Sequence, residues 1–216
     1  MGLLSGPEIV RQIEKGNIVI DPFDEARLNP NSYNLTMSPQ LLAYKAPLVT
    51  RDDQLLLFQN DWTQSASTPP AFDSRAEGVW YWESVALDMK KDNPTQQLII
   101  PEHGAMLFPG TLYLAATNEY TETHGFVPCI EGRSSVGRLG MCIHITAGFG
   151  DDGFCGTWTL EITVVHPLRV YANVPVCQIA YSTLEGARRP YVGKYSGQRG
   201  PKPSGFWKEF IKKDAA

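Results

Sequence analysis

Apolar positions in this chain come mostly in short runs or in strict alternation, and Gly, Pro or Asn interrupts them every few residues. On that pattern Leu98 to Ile100, Thr111 to Ala116, Met141 to Thr146, Thr157 to Val165, Leu168 to Tyr171 and Val176 to Tyr181 read as strands. A helical period with matching ends occurs near the start. Ser5-Gly6-Pro7-Glu8 forms a capping-box sequence, Ile9, Val10 and Ile13 share a face, and Gly16 closes the pattern, so residues 1–16 are expected to hold a short helix. Many short strands without alternating helices predict a mainly β fold with antiparallel pairing, a barrel or a sandwich.

Two stretches stand apart from this pattern. Residues 60–78 are rich in Ser, Thr and Pro and show no period, so they are expected to form a surface loop. Residues 186–216 follow the last strand pattern and are basic and glycine-containing, but they also carry Tyr191, Tyr195, Phe206 and Trp207, which purely solvated tails rarely do. This tail is expected to fold back over a site. Arg188-Arg189 and Lys212-Lys213 read as solvated pairs.

With 216 residues, 43% of them hydrophobic, the chain can bury a core as a single domain. Nineteen Lys and Arg against twenty-three Asp and Glu give a net charge of -4. Such a chain has no global field to attract nucleic acid, and any anion site must be built locally, which suits a small phosphorylated metabolite better than a polymer. The N-terminal residues lack the basic start and apolar core of a signal peptide, and no apolar run reaches the roughly eighteen residues that a spanning helix needs. A cytoplasmic protein without membrane contact is expected. Cys129, Cys142, Cys155 and Cys177 show no CxxC spacing and sit in apolar, strand-like surroundings, so they are expected to be reduced core residues.

The chemistry is concentrated in one region. Gly132-Arg133-Ser134-Ser135-Val136-Gly137-Arg138-Leu139-Gly140 reads as a turn entering a short helix, with Ser134 or Ser135 at its cap and Gly140 at its end. Helix-start amides, two hydroxyls and an Arg fork together suit a phosphate, although an ordinary capped helix would show the same residues. His144 to Ala147 and Thr157 to Glu161 read as strands joined by a connection holding Gly148, Gly150, Gly153 and Gly156, whose glycines let backbone approach a flat ligand; Phe154 is placed to pack under a sugar. Glu161 interrupts a run of strand formers. A carboxylate withdrawn from water holds its proton more tightly, which is how a general base or acid is poised, although a structural carboxylate paired with an Arg would give the same pattern.

Taken in order, the segments Gly16-Asn17-Ile18, Leu28-Asn29-Pro30-Asn31-Ser32-Tyr33-Asn34-Leu35, the Gly-Arg-Ser-Ser-x-Gly-Arg-Leu-Gly run, Thr146-Ala147-Gly148-Phe149, Thr159-Leu160-Glu161 and Lys194-Tyr195 to Gln198 resemble the dCTP deaminase branch of the dUTPase superfamily. The resemblance implies a distorted antiparallel β-barrel of the dUTPase-like type, assembled as a homotrimer with its sites at subunit interfaces. It implies a nucleotide ligand, dCTP, dUTP or dTTP, with Mg²⁺ held through the triphosphate. Glu161 matches the catalytic carboxylate, which takes a proton from water for attack on C4 of cytosine and passes it toward the departing ammonia. Ser134 and Arg138 match residues that hold that water and the carboxylate, and the Ala147 carbonyl matches the group that orients the water. Arg133, Ser135, Lys194 and Gln198 fall on phosphate-binding positions and Asp151 and Phe154 near the sugar, while Thr146, Thr159 and Tyr191 are further substrate contacts.

The implied reaction is hydrolytic deamination of dCTP to dUTP, with a bifunctional route on to dUMP as the alternative and a non-catalytic nucleotide-sensing or protein-binding module as the second. Zinc is not expected, because the H-x-E and P-C-x-x-C ligand pattern of zinc deaminases is missing: Pro128-Cys129 is followed by Ile130-Glu131-Gly132. Two departures from the family pattern stand out, the first of which bears on the sugar contacts. Gly150-Asp151-Asp152-Gly153 stands where the family usually has Ile-Asp-Pro-Gly, and Asn34 stands in place of an Asp.

Overall fold

The computed structural model describes residues 2–45, 49–51, 54–56 and 87–211. The expected surface loop at 60–78 lies outside them. In chain order the elements are α1 (Gly6–Glu14), β1 (Ile18–Asp21), a 3₁₀ turn (Glu25–Arg27), β2 (Tyr33–Tyr44), β3 (Val49–Arg51), β4 (Gln54–Leu56), β5 (Thr95–Ile99), β6 (Ala105–Leu107), β7 (Tyr113–Thr123), β8 (Phe126–Gly132), α2 (Ser134–Gly137), β9 (Met141–Cys142), β10 (Cys155–Val164), β11 (Leu168–Val170), β12 (Pro175–Thr183) and α3 (Lys208–Ile211). They fall into two compact units, Met1–Ala43 with Gln97–Pro203 and Tyr44–Gln96 with Ser204–Ala216.

The first unit is built on an eight-stranded sheet with the order β8-β12-β2-β7-β10-β9, which β1 and β5 join off that path. Pairing is antiparallel, as in β10 on β7 and β12 on β8, and the mainly β, barrel-like expectation holds. The long strand β7 lies at the centre of the arrangement, hydrogen-bonded to β1, β2 and β10. Alternation then decides which side chains are lost to the interior. On β10, Leu160, Ile162 and Val164 are buried, while Thr159, Glu161 and Thr163 occupy the opposite, half-buried face. Tyr33, Leu35 and Met37 of β2 and Cys177, Ile179 and Tyr181 of β12 fill the same core. In the second unit β3 and β4 form a ladder with Val49 opposite Leu56, and Phe206 meets Phe210 edge-on at 5.4 Å.

The N-terminal helix has the expected ends. Ser5 Oγ accepts the Glu8 N–H at 3.4 Å and Gly16 takes φ +74°, a conformation that glycine adopts without strain. The strand expected over Met141 to Thr146 is shorter than its apolar pattern implies. It pairs with β10 only at Met141 and Cys142, after which the chain turns away and residues 148–150 bond to β8 instead, with Ile130 N to Gly148 O at 2.7 Å and Gly150 N to Pro128 O at 2.8 Å. Strands β1, β2, β6 and β8 were not visible as period-two segments. On β2 the register shifts between Met37 and Leu41, around Pro39, which breaks the alternation that marks a strand in sequence.

The four cysteines are free, but they are not alike. Cys177 is buried, and its burial pushes the thiol far above its ordinary pKa, whereas Cys142 is exposed on the outward position of β9, against the expectation of a core residue. Among the described residues no helix is long and apolar enough to cross a membrane.

A carboxylate lies within the core. Glu119 of β7 is fully buried and accepts from Thr36 N at 2.9 Å and Thr36 Oγ1 at 2.8 Å, and it pairs with the Arg27 guanidinium. These bonds fasten β7 to β2 and to the 3₁₀ turn. Glu119→Ala leaves the Thr36 donors without an acceptor and Arg27 with only the more exposed Asp24 as partner. It is expected to lower the unfolding free energy by about 3 kcal/mol, read as a shift in the urea midpoint at unchanged slope.

Candidate active site

Glu161 sits midway along β10 opposite Leu114 of β7, so the β7 ladder fixes its backbone. Its N–H donates to Ile143 O at 2.9 Å, and its Oε2 accepts the Ile145 N–H at 3.3 Å. That second bond draws the turn carrying Thr146 and Ala147 against the carboxylate. Two positions earlier on the same face, Thr159 Oγ1 accepts from Lys202 N at 3.2 Å and from Gln198 Nε2 at 3.4 Å. Gln198 Nε2 also donates to Thr157 O at 2.7 Å, and Thr157 N to Gln198 O at 3.0 Å, so the tail lies along β10 as an added strand-like contact. Glu161, Thr146, Ala147, Thr159 and Gln198 are therefore gathered on one side of the sheet.

Helix α2 lies at the end of β8, but its cap differs from the expectation. Arg133 is the N-cap residue, in extended conformation with no side-chain capping bond, and Ser134 and Ser135 are the first helical residues. The cause is β8, whose ladder with β12 runs through Gly132 opposite Cys177 and keeps the backbone extended up to Arg133. Arg133 Nη1 bonds Pro175 O at 2.9 Å. Among the described residues no hydrogen bond engages either serine hydroxyl or joins Ser134 or Arg138 to Glu161, and all three of Ser134, Ser135 and Arg138 are exposed. The expected closure at Gly140 holds, with φ +75° and its N–H on Gly137 O at 2.9 Å.

A cleft of about 590 Å³ lies beside the loop between β9 and β10, lined by Phe149, Asp151, Leu184, Arg189, Tyr191 and Val192 among others. It unites the expected sugar-side Asp151, which is exposed, with Tyr191, but its lining includes neither Glu161 nor α2. Phe154, expected beneath a sugar, is itself buried, its ring 4.8 Å from Trp158 and 6.2 Å from Tyr191. Lys194 is exposed, with Nζ 5.5 Å from the Tyr195 ring.

The departures from the family pattern each have a local partner. A Cβ at Gly150 would collide with the Trp158 indole, and Trp158 Nε1 donates to Thr121 Oγ1 at 2.9 Å, so the indole takes the room that a side chain at 150 would need. Asp152 is buried and receives both arms of Arg188, Nε on Oδ2 at 2.7 Å and Nη2 on Oδ1 at 2.9 Å. Arg188 is exposed, as expected from its Arg-Arg context, and is in addition an ion-pair partner. Asn34 Nδ2 donates to Asn29 Oδ1 at 3.3 Å, a bond that a carboxylate could not donate.

Sequence reasoning passed over Gln178, Trp158, Asp152 and Arg188. Gln178 receives Ser32 Oγ at 2.7 Å and donates to Gly132 O at 3.2 Å, which carries the Asn29 to Asn34 network to the residue preceding Arg133. A lone Gln on an apolar strand gives no signal in sequence. For Asp152 and Arg188, the only hint was an acid beside a glycine turn and a basic pair far along the chain.

A family model described as dCTP deaminase-like matches residues 3–184. A protein named "dCTP deaminase, dUMP-forming" from Leptospira biflexa serovar Patoc is 46% identical over 212 residues, covering 98% of this chain and 99% of that protein. Proteins of the same name from Cytophaga hutchinsonii and Clostridium botulinum (strain Alaska E43 / Type E3) are each 46% identical over 211 residues, covering 97% of this chain and 99% of theirs. Among solved structures, a 2'-deoxycytidine 5'-triphosphate deaminase from Agrobacterium tumefaciens superposes with a TM-score of 0.53 at 16% identity, covering 83% of this chain and 47% of that one. This chain therefore spans about half of that structure's length, and the likeness concerns the fold.

Two outcomes follow from the geometry. Gly150→Ala overpacks the Trp158 indole and is expected to lower stability by about 1–3 kcal/mol, with part of the loss recovered in the Gly150→Ala/Trp158→Phe double variant, read from thermal midpoints. The second concerns acid. The Arg188 guanidinium holds the Asp152 carboxyl below the usual carboxylate range; burial opposes this, and the Gly125 N–H at 2.6 Å adds to the lowering. A depressed folded-state pKa gives stability that is present above the unfolded value of about 3.9 and is lost as pH falls through the folded one. In midpoints measured from pH 6 downward, Asp152→Asn is expected to fall less steeply than the parent below about pH 4.

Proposed function

This chain belongs to the dCTP deaminase-like family, and on that premise we propose that it hydrolyses dCTP to dUMP, ammonia and pyrophosphate, using Glu161 as the proton-transferring carboxylate. The reading is carried by the bond from Ile145 N–H to Glu161 Oε2 at 3.3 Å, which sets the carboxylate beside the turn holding Ala147. Relatives named dUMP-forming, alike along nearly the whole chain, favour the two-step route over release of dUTP.

In this scheme the Glu161 carboxylate takes a proton from water, and the resulting hydroxide adds to C4 of the cytosine. The proton is then handed to the exocyclic nitrogen, the C4–N bond breaks, and ammonia leaves a uracil ring behind. A positioned base of this kind typically contributes ~10²–10⁴ in rate. The Ala147 carbonyl, Ser134 and Arg138 orient the water and the carboxylate. A second water then attacks the α-phosphorus of the uracil nucleotide, displacing pyrophosphate.

Arg133, Ser135, Lys194 and Gln198 would meet the phosphates, and Asp151, Phe154, Thr146, Thr159 and Tyr191 the nucleoside. Cations and neutral donors such as these suit phosphate oxygens and not a bare divalent cation, so Mg²⁺ fits this donor set only through the triphosphate and water. Bound there, Mg²⁺ would neutralise the phosphates and favour departure of pyrophosphate. The exposure of Ser134, Ser135 and Arg138 on α2 supports completion of the pocket by a neighbouring subunit, and we include the homotrimer in the proposal.

Glu161→Gln keeps the shape and removes the base. It is expected to slow ammonia release from dCTP by roughly 10²-fold or more while nucleotide binding persists, and ammonia release at the parent rate overturns the assignment. Chromatography of the parent reaction should show dUMP and pyrophosphate from the earliest time points. Accumulation of dUTP would instead return the reaction to simple deamination.

A further inference from the structure

Asp152 fastens the C-terminal segment in two ways at once. Its carboxylate, 4% exposed, takes both arms of Arg188 and the Gly125 N–H at 2.6 Å, and its main-chain carbonyl takes the Tyr191 N–H at 2.7 Å. Gly153 tightens the same contact, since a Cβ there would stand 3.0 Å from both Pro190 Cβ and Tyr191 N. The loop that precedes β10 and the start of the tail are thus joined by a bidentate, charge-assisted pair and a backbone bond.

A second fastening lies further on. Gly197 N donates to Cys155 O at 2.7 Å, Gln198 pairs with the backbone of Thr157, and the Arg199 guanidinium lies 3.8 Å from the centre of the Tyr120 ring. Between the two points residues 192–196 form an arch that carries Lys194 outward, with Val192 96% exposed. The arch folds upon Tyr191, whose hydroxyl accepts the Tyr195 N–H at 3.4 Å, and Gly193 makes room for that phenol ring. The second fastening consists largely of backbone bonds, whereas the first depends on two particular side chains.

We propose that Asp152 and Arg188 are positioning residues for nucleotide binding, which hold the arch bearing Tyr191 and Lys194 in place before the nucleotide arrives. This rests on the reading of those tail residues as nucleotide contacts. With the arch already fixed at both ends, binding does not have to order a free chain segment, and the affinity that such ordering would consume is retained. Without the pair, the near end of the arch would keep only the backbone bond from Tyr191 N–H to Asp152 O. Substrate would still bind and react, but from a smaller population of competent chains, so the effect falls on KM and not on kcat.

The experiment uses the full-length protein and trypsin. Cleavage after Lys194 reports arch opening without any nucleotide, and Arg189 is protected by the following Pro190. Arg188→Ala is expected to speed cleavage after Lys194 about tenfold and to raise KM for dCTP about tenfold with kcat within about twofold, and Arg188→Lys should recover most of both. Should Arg188→Ala fail to fold, Asp152→Asn is read in the same way. Cleavage at the parent rate overturns the anchoring role, and faster cleavage with unchanged KM overturns the positioning role. Lys194→Ala, which leaves the ion pair intact, separates the two readings: if it too leaves KM unmoved, the assignment of the tail to nucleotide binding is what fails.

Discussion

A strand that lends one row of side chains to a core and the other to chemistry cannot slip by a residue without losing both. β10 is held to that condition from two sides, by β7 along most of its length and by β9 and Ile143 at its end. Leu160 and Ile162 are buried and a one-residue slip would turn them outward, so Glu161 between them inherits its direction from theirs. The precision of the carboxylate is therefore a by-product of hydrophobic packing. The tail exploits the same row, since Gln198 and Lys202 bind Thr159 on the outward face.

Around this strand, where the chain departs from the resembled family pattern, shape is maintained by other contacts. The indole of Trp158 substitutes for bulk at 150, an ion pair replaces the rigidity expected of a proline at 152, and an amide donor at 34 continues a chain of amides toward Gly132. Each exchange is local, and none disturbs the ladder carrying Glu161. The loop before β10 is thereby tied to the tail by charge in place of backbone stiffness.

What could be read in the sequence was whatever repeats or caps: α1 with its Ser5 and Gly16, β10 with its alternation, and the odd carboxylate within it. β2 was illegible because a bulge near Pro39 breaks its period, and β9 was overread because the apolar run continues past the point where the backbone leaves the ladder. The cap of α2 was misplaced because β8 stays extended through Gly132, which is a tertiary effect. The Asp152–Arg188 pair joins positions that no local pattern relates, since charge complementarity over that separation is set by the fold alone. Among the described residues no hydrogen bond joins α2 to Glu161, so the grouping implied by resemblance had no local signal in the sequence to be read from.

The contact between Gly150 and Trp158 also imposes an order on change. A lineage in which a branched aliphatic residue is to appear at 150 must first surrender the indole at 158, because the two occupy one volume. Surrendering it first leaves a void beside Phe154 and removes the donor that the Thr121 hydroxyl accepts from. Either step alone is expected to lower stability, so passage between the two states favours paired substitutions over single ones.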